Sequence, residues 1–163
     1  MNTQTEQQAS NGSLTATVEN DGTTEDCLFL DVHSPKTAFN KTGGGYGNPV
    51  LVYIHGGGYV AGSKDDFEFT GMTQRAAMTG EPLVFVSLNY RLGSLGFMGG
   101  QSVQQDGVAN AGLHDQLFAL QWVRRNIHLF GGDPDRVTVW GGSAGAGSII
   151  QQLTVGPVVV INL

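Results

Sequence analysis

Positive charge is scarce in this chain: eight lysines and arginines face fourteen aspartates and glutamates in 163 residues, a formal charge of −6. No basic stripe can be drawn that would track a phosphate backbone, so nucleic acid is not an expected partner. Cysteine is nearly missing. Cys27 stands alone, which rules out an internal disulfide and reads first as a small buried hydrophobe. Long apolar runs are missing as well, since Val155 to Leu163 is broken by Gly156, Pro157 and Asn162 and reaches about half of the ~20 residues that a membrane-spanning helix needs. The first twenty residues are polar, without a basic start and an apolar stretch after it, so no secretory signal is expected in the chain as written. His33, His55, His114 and His128 show no metal-ligand spacing. A bound metal is therefore not expected.

Glycine is what the chain has in excess. Its 25 glycines are about twice the usual share of roughly 7%, and they cluster at 43–45, 56–58, 99–100, 131–132 and 141–142. Clusters of this kind mark tight backbone geometry rather than a repeat. The length and a hydrophobic content of 40% suit one domain with a real core. Three stretches are expected: a flexible polar lead-in over 1–24, the organised domain over 25–153, and a divergent tail over 154–163.

Within the domain, Leu28 to Val32 reads as a short strand, followed by a surface loop through Pro35 and the glycines up to Gly47. Val50 to Ile54 and Leu83 to Leu88 are nearly continuous apolar runs rich in β-branched residues, the pattern of strands buried on both faces of a parallel sheet. Asp65 to Thr79 between them suits a helix or an irregular crossover. The clearest helix is Gly112 to Ile127, where Leu113, Leu117, Leu120, Val123 and Ile127 recur at the spacing of one buried face. Val137 to Trp140 is expected as a strand and Ala144 to Leu153 as the helix after it. Strands alternating with helices predict an α/β fold with a mostly parallel central sheet flanked by helices.

Gly141-Gly-Ser-Ala-Gly145 fits G-x-S-x-G, in which glycines remove Cβ atoms so that a serine can stand exposed on a strained strand-to-helix turn. Composition alone gives about 0.2 chance matches, but the pattern here falls between a predicted strand and a predicted helix, as a nucleophile elbow requires. Ser143 is the predicted nucleophile. Ala144, at the helix start, offers a backbone N–H to the oxyanion formed when Ser143 attacks a carbonyl. His55-Gly-Gly-Gly-Tyr59 directly follows the Val50 to Ile54 strand. It fits the HGGG oxyanion loop of esterases and lipases, and chance supplies only about 0.01 such matches. His55 is not expected to act as the general base, because in this order of motifs the base follows the nucleophile, whereas all four histidines precede Ser143.

Through Glu25 to Val32, His55 to Tyr59, Asn89 to Phe97, Asn110 to Gln116, Ala119 to Ile127, Phe130 to Pro134 and the serine segment, the chain resembles the type-B carboxylesterase/lipase family. That family includes fungal lipases, carboxylesterases, cholinesterases and neuroligin-type relatives. The resemblance implies part of an α/β-hydrolase fold that stops after the nucleophile elbow. It implies acylation at Ser143, oxyanion donation by the N–H groups of Gly57, Gly58 and Ala144, and a structural ion pair between Arg91 and Asp115. It also implies a small-molecule ester substrate, no cofactor and no obligate partner. Relatives supply the acidic and histidine triad members beyond the elbow, and a cysteine before the Glu25 segment that bonds the one matching Cys27. Neither can be carried onto this sequence, and the residues after 154 do not resemble those of relatives. Little or no turnover is accordingly expected of the chain as it stands. A non-catalytic binding module and a truncated gene product stay open beside the esterase reading. The compartment stays open too, although Asn11-Gly-Ser13 and Asn40-Lys-Thr42 fit the glycosylation pattern.

Overall fold

The computed structural model describes residues 26–39 and 47–155. The expected lead-in, both Asn-x-Ser/Thr patterns, most of the Gly43 to Gly47 stretch and the tail from 156 onward lie outside the described residues. Four strands form one sheet in the order β1-β3-β2-β4, with β1 at Leu30–His33, β2 at Asn48–Ile54, β3 at Val84–Leu88 and β4 at Gly132–Gly141. β2 runs parallel to both β3 and β4, while β1 is antiparallel to β3. Both expected buried strands are central: every residue of β3 is buried, and β2 carries Val50, Val52 and Ile54 at or near zero exposure.

Because side chains alternate along a strand, the sheet has two different faces. On one, Val50, Val52, Ile54, Val84, Val86 and Leu88 meet Ala119, Leu120, Val123 and Ile127 to form the core. Each fully buried side chain of this size contributes about 1.5–3 kcal/mol, so this layer dominates the stability. The other face is aromatic. Tyr53 of β2 lies 5.2 Å from Trp140 of β4 and 4.8 Å from Phe67, and Phe85 stacks at 4.5 Å on Phe69. Phe67 and Phe69 belong to the crossover after β2, which is a loop pinned by these rings until α2 begins at Thr70–Met78.

The long helix α5, Ala111–Asn126, appears where expected, but its buried face differs from the one predicted. Leu113 and Leu117 are only half-buried, whereas Gly112, Gln116, Ala119, Leu120 and Val123 are buried. Gln116 can leave water because its amide is satisfied: Nε2 donates to Ser148 Oγ at 3.1 Å, and Oε1 accepts from Gln152 Nε2 at 2.8 Å. Both partners lie on α6, Ala144–Val155, so a polar clamp ties the two helices together. Three short helices were not anticipated: α1 at Lys36–Phe39, α3 at Gly93–Phe97 and α4 at Gln101–Asp106. None is long enough to show a helical period. β4 starts five residues earlier than predicted. It touches β2 at Gly132, loses register, and pairs regularly only from Val137 onward, because Pro134 has no N–H to give the ladder. No helix among the described residues is long and apolar enough to cross a membrane.

Candidate active site

Ile54 and Gly141 are register partners at the ends of the parallel strands β2 and β4. Parallel neighbours that end level deliver their following loops to the same edge of the sheet, so the His55 loop and the Ser143 turn must meet there. They do. A Cβ built on Gly56 would stand 3.2 Å from Ser143 Cβ and 2.9 Å from Gly142 O. Only glycine permits that approach.

Ser143 is exposed, between the end of β4 and the first residue of α6, at a φ of +52°. This left-handed conformation costs a residue with a side chain about 1–3 kcal/mol, and the surrounding packing holds it. Gly145 N–H donates to Gly142 O at 2.9 Å and Gly147 N–H to Ser143 O at 3.0 Å, which closes the first turn. Gly145 is pressed against the carbonyl end of β2 so closely that an added Cβ would overlap Ile54 O. Ala144 opens α6, and the N–H groups of a first helical turn have no intrahelical acceptor.

Gly57 and Gly58 are exposed, with φ of +105° and +62°. Gly57 O accepts from Val60 N–H and Ala61 N–H, each at 3.1 Å. Among the described residues, neither Gly57 N–H nor Gly58 N–H donates a hydrogen bond. Two amides without acceptors among the described residues thus stand on the loop that packs against the serine turn.

His55 is buried to 1% exposure, which removes it further from a proton-shuttling role. Its ring stacks on Tyr90 with centroids 4.4 Å apart, Nδ1 lies 2.8 Å from Gly56 O, and Nε2 has no partner among the described residues. Tyr90 Oη donates to His55 O at 2.8 Å, and burial pushes the Tyr90 phenol up to about 12. Burial also lowers the pKa of His55, against smaller upward pulls from the Gly56 carbonyl and Asp66. A histidine that titrates below its ordinary 6.5 leaves the unfolded chain binding a proton that the folded one refuses. The stability due to the neutral ring is therefore complete above pH 6.5 and is lost as the pH falls below it. The urea midpoint should drop between about pH 7 and about pH 5, and the drop should be shallower in His55→Asn.

The other histidines sit elsewhere in the fold. His33 lies on β1 against Phe69, 4.1 Å between centroids, while His114 and His128 are exposed on α5 and the 3-10 turn at its end. Arg91 and Asp115 form a bidentate pair, Nη2 to Oδ1 at 2.7 Å and Nε to Oδ2 at 2.8 Å. It joins the segment before α3 to α5, as the resemblance implied. Cys27 is a free, half-buried thiol.

Residues that the sequence left without a role also shape this edge. Tyr59, at a φ of +66°, packs its ring 4.7 Å from Phe97, and its hydroxyl would lie 2.7 Å from a Cβ on Gly147 of α6. Lys64 follows the loop and holds it down. Its ammonium pairs with Asp31 at 2.5 Å, and its N–H donates to Asn89 Oδ1 at 2.8 Å. The position of Tyr59 directly after three glycines was the visible signal, but its contact with α6 is long-range.

Known proteins share this arrangement of segments. The family model described as "Carboxylesterase family" matches residues 1–159. Carboxylesterase patB of Aspergillus clavatus is 49% identical over 136 residues, 80% of this chain and 24% of its own length. Lipase 1 of Geotrichum candidum is 47% identical over 129 residues, 79% of this chain and 22% of its own length. Among solved structures, Aspergillus niger EstA superposes with a TM-score of 0.67 at 44% identity, covering 77% of this chain and 23% of that one. The chain therefore spans about a quarter of the length of the relatives it matches. Its fold is part of the α/β-hydrolase architecture, and the chain belongs to the carboxylesterase family.

Proposed function

We propose that this chain provides the nucleophile and the oxyanion-binding half of a serine hydrolase acting on carboxylic esters. The observation that carries this is the exposed Ser143, held at a φ of +52° on a turn that packs so closely on Gly56 that an added Cβ there would stand 3.2 Å from Ser143 Cβ. In that reaction Ser143 Oγ attacks the ester carbonyl and gives its proton to a base. The N–H groups of Gly57, Gly58 and Ala144 receive the oxyanion, the alcohol leaves, and water then releases the acid. Pre-aimed amides at such a site are worth about 10²–10³ in rate per donor. The substrate class is a small-molecule ester, and no step requires a metal or an organic cofactor.

Chemical rescue tests this in the 163-residue protein. A fluorophosphonate with millimolar imidazole as external base should phosphonylate Ser143, with a single mass increment mapping to that residue. Ser143→Ala should take up no label. Modification of Ser63, Ser94 or Ser102 at the same rate as Ser143 would reject the assignment.

A further inference from the structure

The His55 ring has a defined task that its burial alone does not explain. Its Nδ1 lies 2.8 Å from Gly56 O, and its Nε2 is buried without a partner among the described residues. A proton on Nε2 would leave a buried donor unsatisfied and set the Nδ1 lone pair against the Gly56 carbonyl lone pairs. With the proton on Nδ1 the ring donates to Gly56 O and both faults disappear, leaving a bare acceptor as the only unpaired atom. The ring cannot turn away. Tyr90 stacks on one face, Tyr90 Oη fixes His55 O, and a Cβ on Gly62 would reach within 2.5 Å of Nδ1.

The peptide between Gly56 and Gly57 is trans, so its C=O and N–H point in opposite directions in one plane. Holding Gly56 O toward the buried ring must send Gly57 N–H the other way, out of the protein. The next peptide is handled alike by different donors: Val60 N–H and Ala61 N–H hold Gly57 O, which turns Gly58 N–H outward. We propose that His55, protonated on Nδ1, is a positioning residue that aims the Gly57 amide into the oxyanion site by holding the carbonyl of the same peptide plane. In this role His55 acts through Gly56. This assignment rests on the esterase reading for its purpose, but the peptide orientation can be measured separately.

Two substitutions separate the ring from its donor. Asn places an amide N–H close to where Nδ1 stood, whereas Phe keeps a ring for Tyr90 and removes the donor. In the 163-residue protein, residual dipolar couplings of the Gly57 and Gly58 N–H vectors should be altered at Gly57 in His55→Phe. They should be largely restored in His55→Asn, with the couplings of β2 and β3 unchanged in both. Imidazole-assisted phosphonylation of Ser143 should fall about tenfold or more in the Phe variant and recover in the Asn variant, in line with the weight of one misaimed oxyanion donor. A long-range proton–nitrogen spectrum of the wild type should show the proton on Nδ1, a readout that stands even if the Phe variant fails to fold. A proton on Nε2, or a Gly57 coupling unchanged in His55→Phe, would overturn the proposal. Absence of labelling in the wild type would count against the esterase reading alone, because the couplings and the tautomer do not depend on it.

Discussion

The purified 163-residue protein should hydrolyse a short-chain p-nitrophenyl ester about 10⁴- to 10⁶-fold more slowly than a complete family member, the range seen when triad members of a serine hydrolase are lost. Its rate should equal that of Ser143→Ala within error. No histidine follows Ser143 in the sequence. The one histidine beside the serine loop is buried, with Nδ1 committed to Gly56 O and a pKa below the ordinary range. A serine hydroxyl without a base stays protonated and attacks poorly, however well its oxyanion is received. Added imidazole should raise the rate of the wild type and leave Ser143→Ala unchanged. Robust unassisted turnover that vanishes in Ser143→Ala would mean that some group of this chain serves as the base.

How far the sequence disclosed this site depends on whether each feature is local. The strands β2 and β3 were legible because a strand buried on both faces must be apolar at nearly every position, and Val50 to Ile54 and, apart from Ser87, Leu83 to Leu88 are. The meeting of the Gly56 loop with Ser143 follows once both motifs sit at the ends of neighbouring parallel strands. The buried face of α5 was misjudged at Leu113 and Leu117 because Gln116 reads as polar. Only the distant Ser148 and Gln152 make its burial tolerable. Tyr59 against Gly147, and the His55 ring against Tyr90, depend on long-range contacts that no spacing in the chain encodes. The short helices escaped because four to six residues complete too few turns to leave a pattern.

Two glycines of the elbow, three residues apart, should respond unequally to the same added methyl group. Gly142→Ala should leave stability within about 0.5 kcal/mol of wild type, since a Cβ there meets nothing within 4 Å. At Gly145 the methyl would press on Ile54 O and His55 O, both backbone atoms of the strand end and loop that α6 must approach. Alanine gains about 1 kcal/mol over glycine in a helix interior, while overpacking costs about 1–3 kcal/mol. The cost should prevail, because neither oxygen belongs to a side chain that can rotate aside. Relief requires α6 to move back from β2 by roughly 1 Å, and a misplacement of that size costs on the order of 10²-fold in reactivity. Gly145→Ala should therefore lower the urea midpoint and slow imidazole-assisted labelling of Ser143 by about that factor. Wild-type midpoint and labelling in Gly145→Ala would show that the helix does not dock on the end of β2, and the placement of Ser143 against the glycine loop would fall with it.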